Sequence, residues 1–425
     1  MSARTAILEI MKMNIKNNLT RLSLIRRPYI SLLRDNRSHA AFDGKAVSGL
    51  LDTLKEKTPV LDPMAGYGTL LHLCSRSKIP SVAVEINAVL YLWLLIRNPK
   101  LTKYFLKAIK DLVSNKAQWP TTCTKAEESD SFFLPEALGI LKELYNQCLY
   151  YTKSFYNNDD VSAESVAAAL IVPFCGRLSC CTESSNNPTW VKRGGIVIYV
   201  EWEKDFENYL GAIKIYLNKI AENASPEVKH EIIFGDCRKI DFSKLNFNSF
   251  ITSPPYPNRL DYEKMFWPES VFCKELNIPS LIPFESTAFI GSTVVRSTSP
   301  QLPPLESVHE FMTKITALDL TKESQKDIYS YYYPYFANYF YNLYEAYNNI
   351  LHCLRHKITG YIIIQNNYFH NVAVPVYQAI SEIWNNFGYS VEIYGQEEVF
   401  HTGTLNPRAR GVKAKQLLIT LKISK

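Results

Sequence analysis

The sequence contains no long run of apolar residues. Its longest uncharged apolar runs, residues 88–96 and 166–175, span about ten residues, whereas a helix that crosses a membrane needs about 20. Residues 1–34 are basic, and they lack the apolar stretch and small-residue cleavage site of a secretory signal. We therefore expect neither a membrane helix nor a signal peptide.

Cysteine spacing gives no sign of disulfide or metal chemistry. The chain has nine cysteines, and none of them lies in a CxxC spacing. An odd number without paired spacing is typical of reduced thiols in a cytoplasmic protein. Cys175, Cys180 and Cys181 cluster without an obvious fourth ligand, so a zinc site there is the less favoured alternative. We predict no metal.

Charge is placed unevenly along the 425 residues, whose formal net charge is +6. Residues 1–50 hold nine Lys and Arg against three Asp and Glu, and residues 351–425 hold eight against four. A polyanion would therefore meet these two regions more readily than the middle of the chain. The distribution permits a nucleic-acid partner but does not require one.

The spacing of apolar residues predicts an α/β fold. Residues 58–97 show the pattern strand, helix, strand, helix, which is typical of a parallel sheet. The pattern becomes helical over 98–229, where helices are predicted around 105–113, 135–156, 163–175 and 204–223. Strands then return from residue 230, and a further helix is predicted at 372–387. The last two strands, at 389–400 and 416–423, follow each other without a helix and predict a hairpin. We expect a Rossmann-like, seven-stranded, mostly parallel sheet with one antiparallel strand, plus a largely helical insertion.

These changes of pattern divide the chain into three parts. Residues 1–97 contain an N-terminal segment and the first half of the α/β domain, and residues 98–229 form a mainly helical insertion. Residues 230–425 contain the second half, with a loop-rich insertion at 257–327 where Pro, Ser and Thr are frequent.

One predicted helix, at residues 327–355, is rich in tyrosine. Its aromatic and aliphatic side chains recur every three or four residues, at Phe336, Phe340, Leu343, Tyr347, Ile350 and Leu354. This spacing favours a buried helical face over a surface that stacks on nucleobases.

A glycine turn follows the first predicted strand at residues 62–69 (DPMAGYGT). Its glycines allow close approach of a ligand to the backbone, and the next helix begins there with free N–H groups. A dinucleotide site would need a third glycine where the chain has Leu71, so a nucleoside without phosphates is the better fit. Glu85 and Asp236 end the next two strands, where they can accept hydrogen bonds from ribose hydroxyls and from an adenine amino group.

The sequence Ser253-Pro254-Pro255-Tyr256 follows a later apolar strand. The two prolines stiffen the chain and carry no N–H donor, so their carbonyl groups are free to act as acceptors. Such a corner suits a planar ring with an exocyclic amine: the ring stacks on Tyr256, and the amine donates to Ser253 Oγ and to the Pro254 carbonyl. Because the corner lies at the carboxyl end of a strand, it occupies the edge where open α/β sheets bind ligands.

These motifs together resemble a known family. DPMAGYGT (62–69), AVEIN (83–87), GDC (235–237) and ITSPPYPNRLDY (251–262) are similar to S-adenosylmethionine-dependent DNA amino-methyltransferases of bacterial restriction-modification systems. The Ser-Pro-Pro-Tyr form resembles the cytosine-N4 subgroup, whereas the adenine-N6 enzymes more often begin this motif with Asp.

The resemblance covers residues 40–98, 230–270 and 355–425 and implies a class I methyltransferase fold. It implies a cofactor-binding half before residue 98, a catalytic half after 229, and a target-recognition region outside the sheet, for which the helical insertion 98–229, the insertion 257–327 and the basic loop 402–415 are the candidates. It also implies the bacterial cytoplasm as location and double-stranded DNA as partner. A cognate restriction endonuclease would act on the same site without a stable complex.

Carried over residue by residue, the resemblance assigns S-adenosyl-L-methionine binding to the turn, the two acids and, more loosely, to 42–45. The cofactor-binding residues are then Asp62, Pro63, Gly66, Gly68, Thr69, Glu85 and Asp236. The catalytic residues are Ser253, Pro254, Pro255 and Tyr256.

We predict direct methyl transfer to the exocyclic amine of a base that has left the duplex, because a stacked base cannot reach such a pocket. Methylation at cytosine carbon-5 needs a cysteine nucleophile, normally after a proline, and none of the nine cysteines follows a proline. The alternatives are an adenine-N6 DNA methyltransferase, an RNA or protein amino-methyltransferase, and a related fold that only binds nucleic acid.

Basic residues near these motifs are candidates for phosphate contact. They are Arg259, just after the tetrad, and Arg408, Arg410 and Lys413 in the loop of the predicted hairpin. Arg177, Lys192 and Arg193 are weaker candidates, since a solvated surface explains them equally well.

Overall fold

A computed structural model describes most of the chain. The described residues are 44–54, 58–120, 133, 135–158, 160–178, 202–257, 266–295, 300–319, 326–354, 357–401 and 414–425. They divide into two compact units, one built on a β-sheet (described residues 44–102, Lys219–Lys264 and Pro283–Lys425) and one that is helical (described residues within Lys103–Asn218 and Met265–Ile282).

Seven strands form the main sheet, and two short strands form a separate hairpin. The strands are β1 (Val60–Asp62), β2 (Ser81–Glu85), β3 (His230–Phe234), β4 (Ser249–Thr252), β5 (Thr359–Gln365), β6 (Tyr368–Phe369), β7 (Val372–Ala373), β8 (Ser390–His401) and β9 (Ala414–Ser424). The main sheet has the order β3-β2-β1-β4-β5-β9-β8, and the small one pairs β6 with β7.

The main sheet confirms the predicted Rossmann-like α/β fold. Strands β1 to β5 are all parallel, and β9 pairs antiparallel with both β5 and β8. The sheet therefore has seven strands with one antiparallel strand, as predicted. The chain order reverses between β1 and its neighbour β4, and ligands of such sheets bind beyond the carboxyl ends of the strands at this reversal.

The described residues form eleven α-helices. They are α1 (Gly44–Thr53), α2 (Thr69–Ser77), α3 (Ala88–Arg97), α4 (Thr102–Ser114), α5 (Pro135–Lys153), α6 (Ala163–Leu178), α7 (Trp202–Asn223), α8 (Trp267–Leu276), α9 (Glu306–Thr316), α10 (Tyr333–Cys353) and α11 (Val376–Asn386). The predicted helices at 135–156, 163–175 and 204–223 correspond to α5, α6 and α7.

Apolar side chains cover both faces of the sheet. Ile251 and Tyr361 pack with the α1 residue Val47 in one cluster, whereas Phe250 packs in another with residues of α10 and α11. Phe250 stacks on Trp384 of α11 at a centroid distance of 5.0 Å. This alternation along neighbouring strands is expected of a sheet that is buried on both sides.

The tyrosine-rich segment packs into this core, as predicted. A π-helical turn at Ile328–Tyr332 precedes α10, and Pro334 lies in the first turn of α10, where a missing N–H costs nothing. Phe336, Phe340, Leu343, Tyr347 and Ile350 are buried, and Leu354 is partly buried.

The structure corrects one predicted helix. We expected a helix over 372–387, but residues 372–373 form β7 and the helix begins at Val376. Pro375 explains the later start, because the residue before a proline disfavours helical backbone angles. The predicted terminal hairpin is confirmed as β8 and β9.

The helical unit has an aromatic core of its own. Phe206 lies 4.8 Å from Phe174 and 5.1 Å from Trp119 between ring centroids, and Phe133 lies 5.9 Å from Phe272. Lys142 and Glu275 form an ion pair of 3.3 Å between α5 and α8. The predicted helical insertion is present as helices α4 to α7, and the unit that they form also includes α8, which lies within the segment 257–327 that we predicted to be loop-rich.

Within the described ranges, no helix is long and apolar enough to cross a membrane. The six described cysteines form no disulfide, and the described residues hold no group of three or more His, Cys, Asp or Glu that suits a metal ion. Cys175 is buried, while Cys180 and Cys181 lie outside the described residues.

Candidate active site

The glycine turn between β1 and α2 depends on two backbone conformations that favour glycine. Gly66 and Gly68 have φ angles of 53° and 76°. The Gly68 N–H donates to the Ala65 carbonyl at 2.8 Å, and a Cβ atom on Gly68 would overlap the Leu94 side chain of α3. Gly68 therefore lets two helices approach each other and sets the direction of the turn.

Glu85, the last residue of β2, connects three loops. Its Oε2 accepts from the Gly66 N–H at 2.6 Å and its Oε1 accepts from the Asn87 N–H at 2.7 Å. Its backbone carbonyl accepts from the Gly235 N–H at 2.9 Å, after β3. Burial raises the pKa of Glu85 to about 8, although these backbone N–H groups favour the ionised form.

Asp62, the last residue of β1, lies beneath the turn. Its Oδ1 accepts from the Thr252 hydroxyl at 2.8 Å, at the end of β4, and from the Met64 N–H at 3.2 Å. Burial raises the pKa of Asp62 to about 7. Its Oδ2 is buried without a hydrogen-bond partner among the described residues. Asp62 thus links the ends of two neighbouring strands at the point where the chain order reverses.

Asp236 follows β3 and is held by an arginine that the sequence motifs did not indicate. Arg238 Nε donates to Asp236 Oδ1 at 2.8 Å, and its NH2 group donates to Oδ2 at 2.6 Å. The same guanidinium donates to the Ala288 carbonyl at 2.5 Å and to Asn342 Oδ1 of α10. Arg238 therefore orients the Asp236 carboxylate and fixes the segment around Ala288 beside it.

The tetrad after β4 forms a closed corner. The Ser253 hydroxyl donates to the Tyr256 hydroxyl oxygen at 2.7 Å, so the lone pairs of Ser253 Oγ remain available to accept. Burial raises the pKa of Tyr256 to about 12, which keeps the phenol neutral. The Pro255 carbonyl is not a free acceptor as we expected, because the Tyr339 hydroxyl of α10 donates to it at 2.9 Å.

These loops enclose a cavity of about 120 Å³ within the sheet unit. Its walls include Gly66, Glu85, Asp236, the tetrad 253–256 and the segment 288–290. The predicted nucleoside-binding residues and the tetrad thus share one cavity at the reversal of chain order, beyond the carboxyl ends of β1 to β4.

A second cavity, of about 250 Å³, adjoins the tetrad. Its lining includes Ser292, Asn338, Tyr339 and Asn342, and it shares Phe289 with the first cavity. Neutral amide and hydroxyl groups predominate there, so it offers both hydrogen-bond donors and acceptors.

The structure distributes the predicted site residues over two roles. Pro63, Gly66, Thr69, Glu85, Asp236 and all four tetrad residues line the first cavity. Asp62 and Gly68 are buried behind it and shape its loops. Asn87 caps α3, since its Oδ1 accepts from the Val89 N–H at 2.9 Å.

Other predicted contact residues fall in parts of the chain without a described structure. Residues 42–43, Arg259, Arg408, Arg410 and Lys413 lie outside the described residues, as do Lys192 and Arg193.

Three features of the site were missed by the sequence motifs: Arg238, Tyr339 and the segment 288–290. Their roles depend on contacts between segments that are far apart in sequence. The only signal in the sequence was that Arg238 lies two residues after Asp236.

No protein-family model matches this chain, and no curated protein sequence matches it significantly.

Proposed function

We propose that this protein is an S-adenosylmethionine-dependent DNA methyltransferase that modifies the N4 amine of an everted cytosine. The observation that carries the proposal is the shared cavity: Glu85, Asp236 and the tetrad 253–256 line one space beyond the strand ends. A nucleoside-type ligand and a planar amine would therefore lie side by side there.

The residues present fit a nucleoside cofactor. The Glu85 carboxylate can accept from both ribose hydroxyls, since each oxygen uses only part of its acceptor capacity on a backbone N–H. Asp236 faces the cavity and is oriented by Arg238, and Phe289 and Ile290 provide an apolar wall for an adenine ring. When bound, S-adenosylmethionine supplies an electrophilic methyl group.

The tetrad is suited to hold the amine that accepts this methyl group. Ser253 Oγ directs its hydrogen to Tyr256, so its lone pairs can accept an N–H from the base. Ser253 Oγ and the Pro254 carbonyl would orient the amine so that its lone pair faces the methyl group that a bound cofactor would supply, and the proton that the amine loses would pass to solvent water. Positioning and polarisation of the amine supply the catalysis, without a covalent enzyme intermediate.

Duplex DNA is the proposed partner, because the target amine must leave the base stack to reach this cavity. Strands β8 and β9 extend beyond the carboxyl end of β5 and remain paired with each other there. The paired residues are Glu398 to His401 on β8 and Ala414 to Leu417 on β9. They extend toward the same edge as the cavity, and they flank the basic residues 408–415 in sequence. In a restriction-modification pair, an endonuclease would act on the same DNA site without a stable complex.

The decisive experiment incubates the protein with methyl-labelled cofactor and, separately, duplex DNA, RNA or protein. We expect label in duplex DNA alone, and nucleoside analysis should identify N4-methylcytosine. Detection of N6-methyladenine would show that the target base is adenine and not cytosine. Label found only in RNA or only in protein would show that DNA is not the substrate. Cofactor binding without transfer to any of the three would contradict enzymatic activity.

Calorimetry with S-adenosylhomocysteine tests the cofactor site separately. Glu85→Ala should weaken binding by about tenfold or more, since the carboxyl oxygens that accept from the ribose hydroxyls and order the Gly66 loop are lost. Glu392→Ala, an exposed carboxylate on β8, is the matched control and should bind as the wild type does. Equal affinity of wild type and Glu85→Ala would show that Glu85 does not bind the cofactor.

A further inference from the structure

We infer that the β6–β7 hairpin is a nucleic-acid contact in which Tyr368 stacks on an unpaired or exposed base beside the everted nucleotide. This inference rests on the proposed function and assigns a role to a segment that none of the motifs includes. The hairpin follows β5 directly, so it lies at the carboxyl edge of the sheet, which is also the edge where the residues that line the cavity lie.

The hairpin presents one aromatic ring to solvent and buries the next. Tyr368 is 66% exposed, whereas Phe369 is 8% exposed. Phe369 packs against Tyr332 and Phe336 at centroid distances of 4.6 and 5.5 Å. Successive residues of a strand face opposite sides, so the anchoring of Phe369 holds Tyr368 outward.

The base of the hairpin is tied to the main sheet. The Asn366 N–H donates to the Leu417 carbonyl at 3.0 Å, and the Leu417 N–H donates to Asn366 Oδ1 at 2.6 Å. The Val374 N–H donates to the Asn367 carbonyl at 2.9 Å. An exposed ring on a fixed support loses little conformational freedom on stacking, which favours a binding role.

The turn of the hairpin is conformationally costly. His370 and Asn371 have φ angles of 45° and 65°, a conformation that suits a two-residue turn but costs about 1 kcal/mol for a residue such as histidine. The His370 ring meets the Phe369 ring at 4.7 Å, and both turn side chains remain exposed. A short, tight turn with polar exposed side chains is suited to approach a nucleic-acid backbone.

A series of contacts through α10 connects the hairpin to the tetrad. Phe336, which packs on Phe369, lies three residues before Tyr339, about 4.5 Å along α10. The Tyr339 hydroxyl donates to the Pro255 carbonyl. A strand that delivers a base to the tetrad therefore passes near the hairpin, and an aromatic ring there can stack on a neighbouring base.

The test measures DNA affinity of the full-length protein by fluorescence anisotropy, with S-adenosylhomocysteine present, on a duplex that contains 2-aminopurine. We expect Tyr368→Ala to weaken binding by about tenfold, the typical loss of one stacked base, while Tyr368→Trp retains affinity. Tyr368→Trp should also quench 2-aminopurine, as direct stacking requires. The matched control is Tyr394→Ala, because Tyr394 is 50% exposed but lies in the middle of β8.

Equal affinity of wild type and Tyr368→Ala would overturn the inference, and so would an equal loss in Tyr394→Ala. A loss of S-adenosylhomocysteine affinity in Tyr368→Ala would also overturn it, since the effect would then come from the cofactor site. A wild type that binds DNA through Tyr368 but transfers no methyl group would contradict the proposed function alone. A wild type that binds protein and no nucleic acid would contradict both.

Discussion

Two buried acidic residues at the strand ends, Asp62 and Glu85, hold the loops of this site in place. Asp62 and Glu85 are almost fully buried and hold backbone N–H groups of the loops around them. A buried carboxylate is costly unless it is hydrogen-bonded, so each one stabilises a specific loop geometry. The residues that we propose to bind the ligand are therefore among those that fix the conformation of the surrounding loops.

Ser253 gives the first prediction at the residue scale. Ser253→Ala should bind S-adenosylhomocysteine with unchanged affinity but reduce kcat on the order of a hundredfold, because one acceptor for the amine is lost. Steady-state methyl transfer and calorimetry together measure this. Ser390→Ala, at the exposed start of β8, should retain full turnover. Unchanged turnover in Ser253→Ala would show that the corner is not catalytic.

Glu85 gives a pH-dependent prediction. Its pKa is raised from 4.5 to about 8 in the folded protein, and that of Asp62 is raised from 3.8 to about 7. Between about pH 5 and pH 8 the folded state therefore retains protons that the unfolded state releases. The free energy of unfolding should fall by a few kcal/mol (order of magnitude) as pH rises through this window.

Urea unfolding between about pH 5 and pH 8 measures this slope. Glu85→Gln should have a flatter pH dependence, because one of the two carboxyl groups with a raised pKa is gone. Stability that rises with pH in wild type over this window would contradict the raised pKa values.

Gly68 gives a prediction at the scale of elements. Gly68→Ala should destabilise the protein by about 1–3 kcal/mol, since the new Cβ would overlap Leu94 and the φ angle of 76° disfavours alanine. Gly49→Ala is the matched control, because Gly49 is exposed within α1 and a Cβ atom added there would meet no other atom within 4 Å. That change should stabilise α1 by about 0.5–1 kcal/mol. Thermal unfolding of both variants measures these changes in stability. An equal change in the free energy of unfolding in the two variants would contradict the packing role of Gly68.

The elements were predictable where periodicity was strong. The apolar spacing of α5, α6, α7 and α10 is helical over several turns, so local sequence was sufficient. The β6–β7 hairpin was missed because strands of two residues have no measurable period. So short a hairpin is stabilised by tertiary packing, here that of Phe369 on α10.

Salt dependence gives a prediction at the scale of the whole molecule. If phosphate contacts supply most of the non-specific affinity, the affinity for duplex DNA should fall steeply with salt. Replacing both Arg408 and Arg410 by Gln should reduce the slope of log K against log salt by about 2, since about one counterion is released per contact. Lys244→Gln is the control, because Lys244 is 80% exposed but lies before β4, at the amino edge of the sheet. An affinity that salt does not change would count against a duplex substrate.

The candidate site was predictable in its strand-end residues and not in their supports. Asp62, Glu85, Asp236 and the tetrad each end or closely follow an apolar strand, and parallel strands bring their carboxyl ends to one edge. Arg238, Tyr339 and the segment 288–290 join this site through contacts across 50 to 104 positions of sequence. No local pattern identifies such partners.

The sequence by itself determined the strands of the main sheet, the long helices, the glycine turn and the identity of the groups at the strand ends. Those features depend on backbone preferences and apolar spacing, which act over a few neighbouring residues. The tertiary structure alone decided that Asp62 links β1 to β4, that Arg238 orients Asp236, and that Tyr339 occupies the Pro255 carbonyl. Such contacts form only on folding, when segments that are far apart in sequence come together and lose water. Because a buried polar atom without a hydrogen bond is costly, each of these groups needs a specific partner.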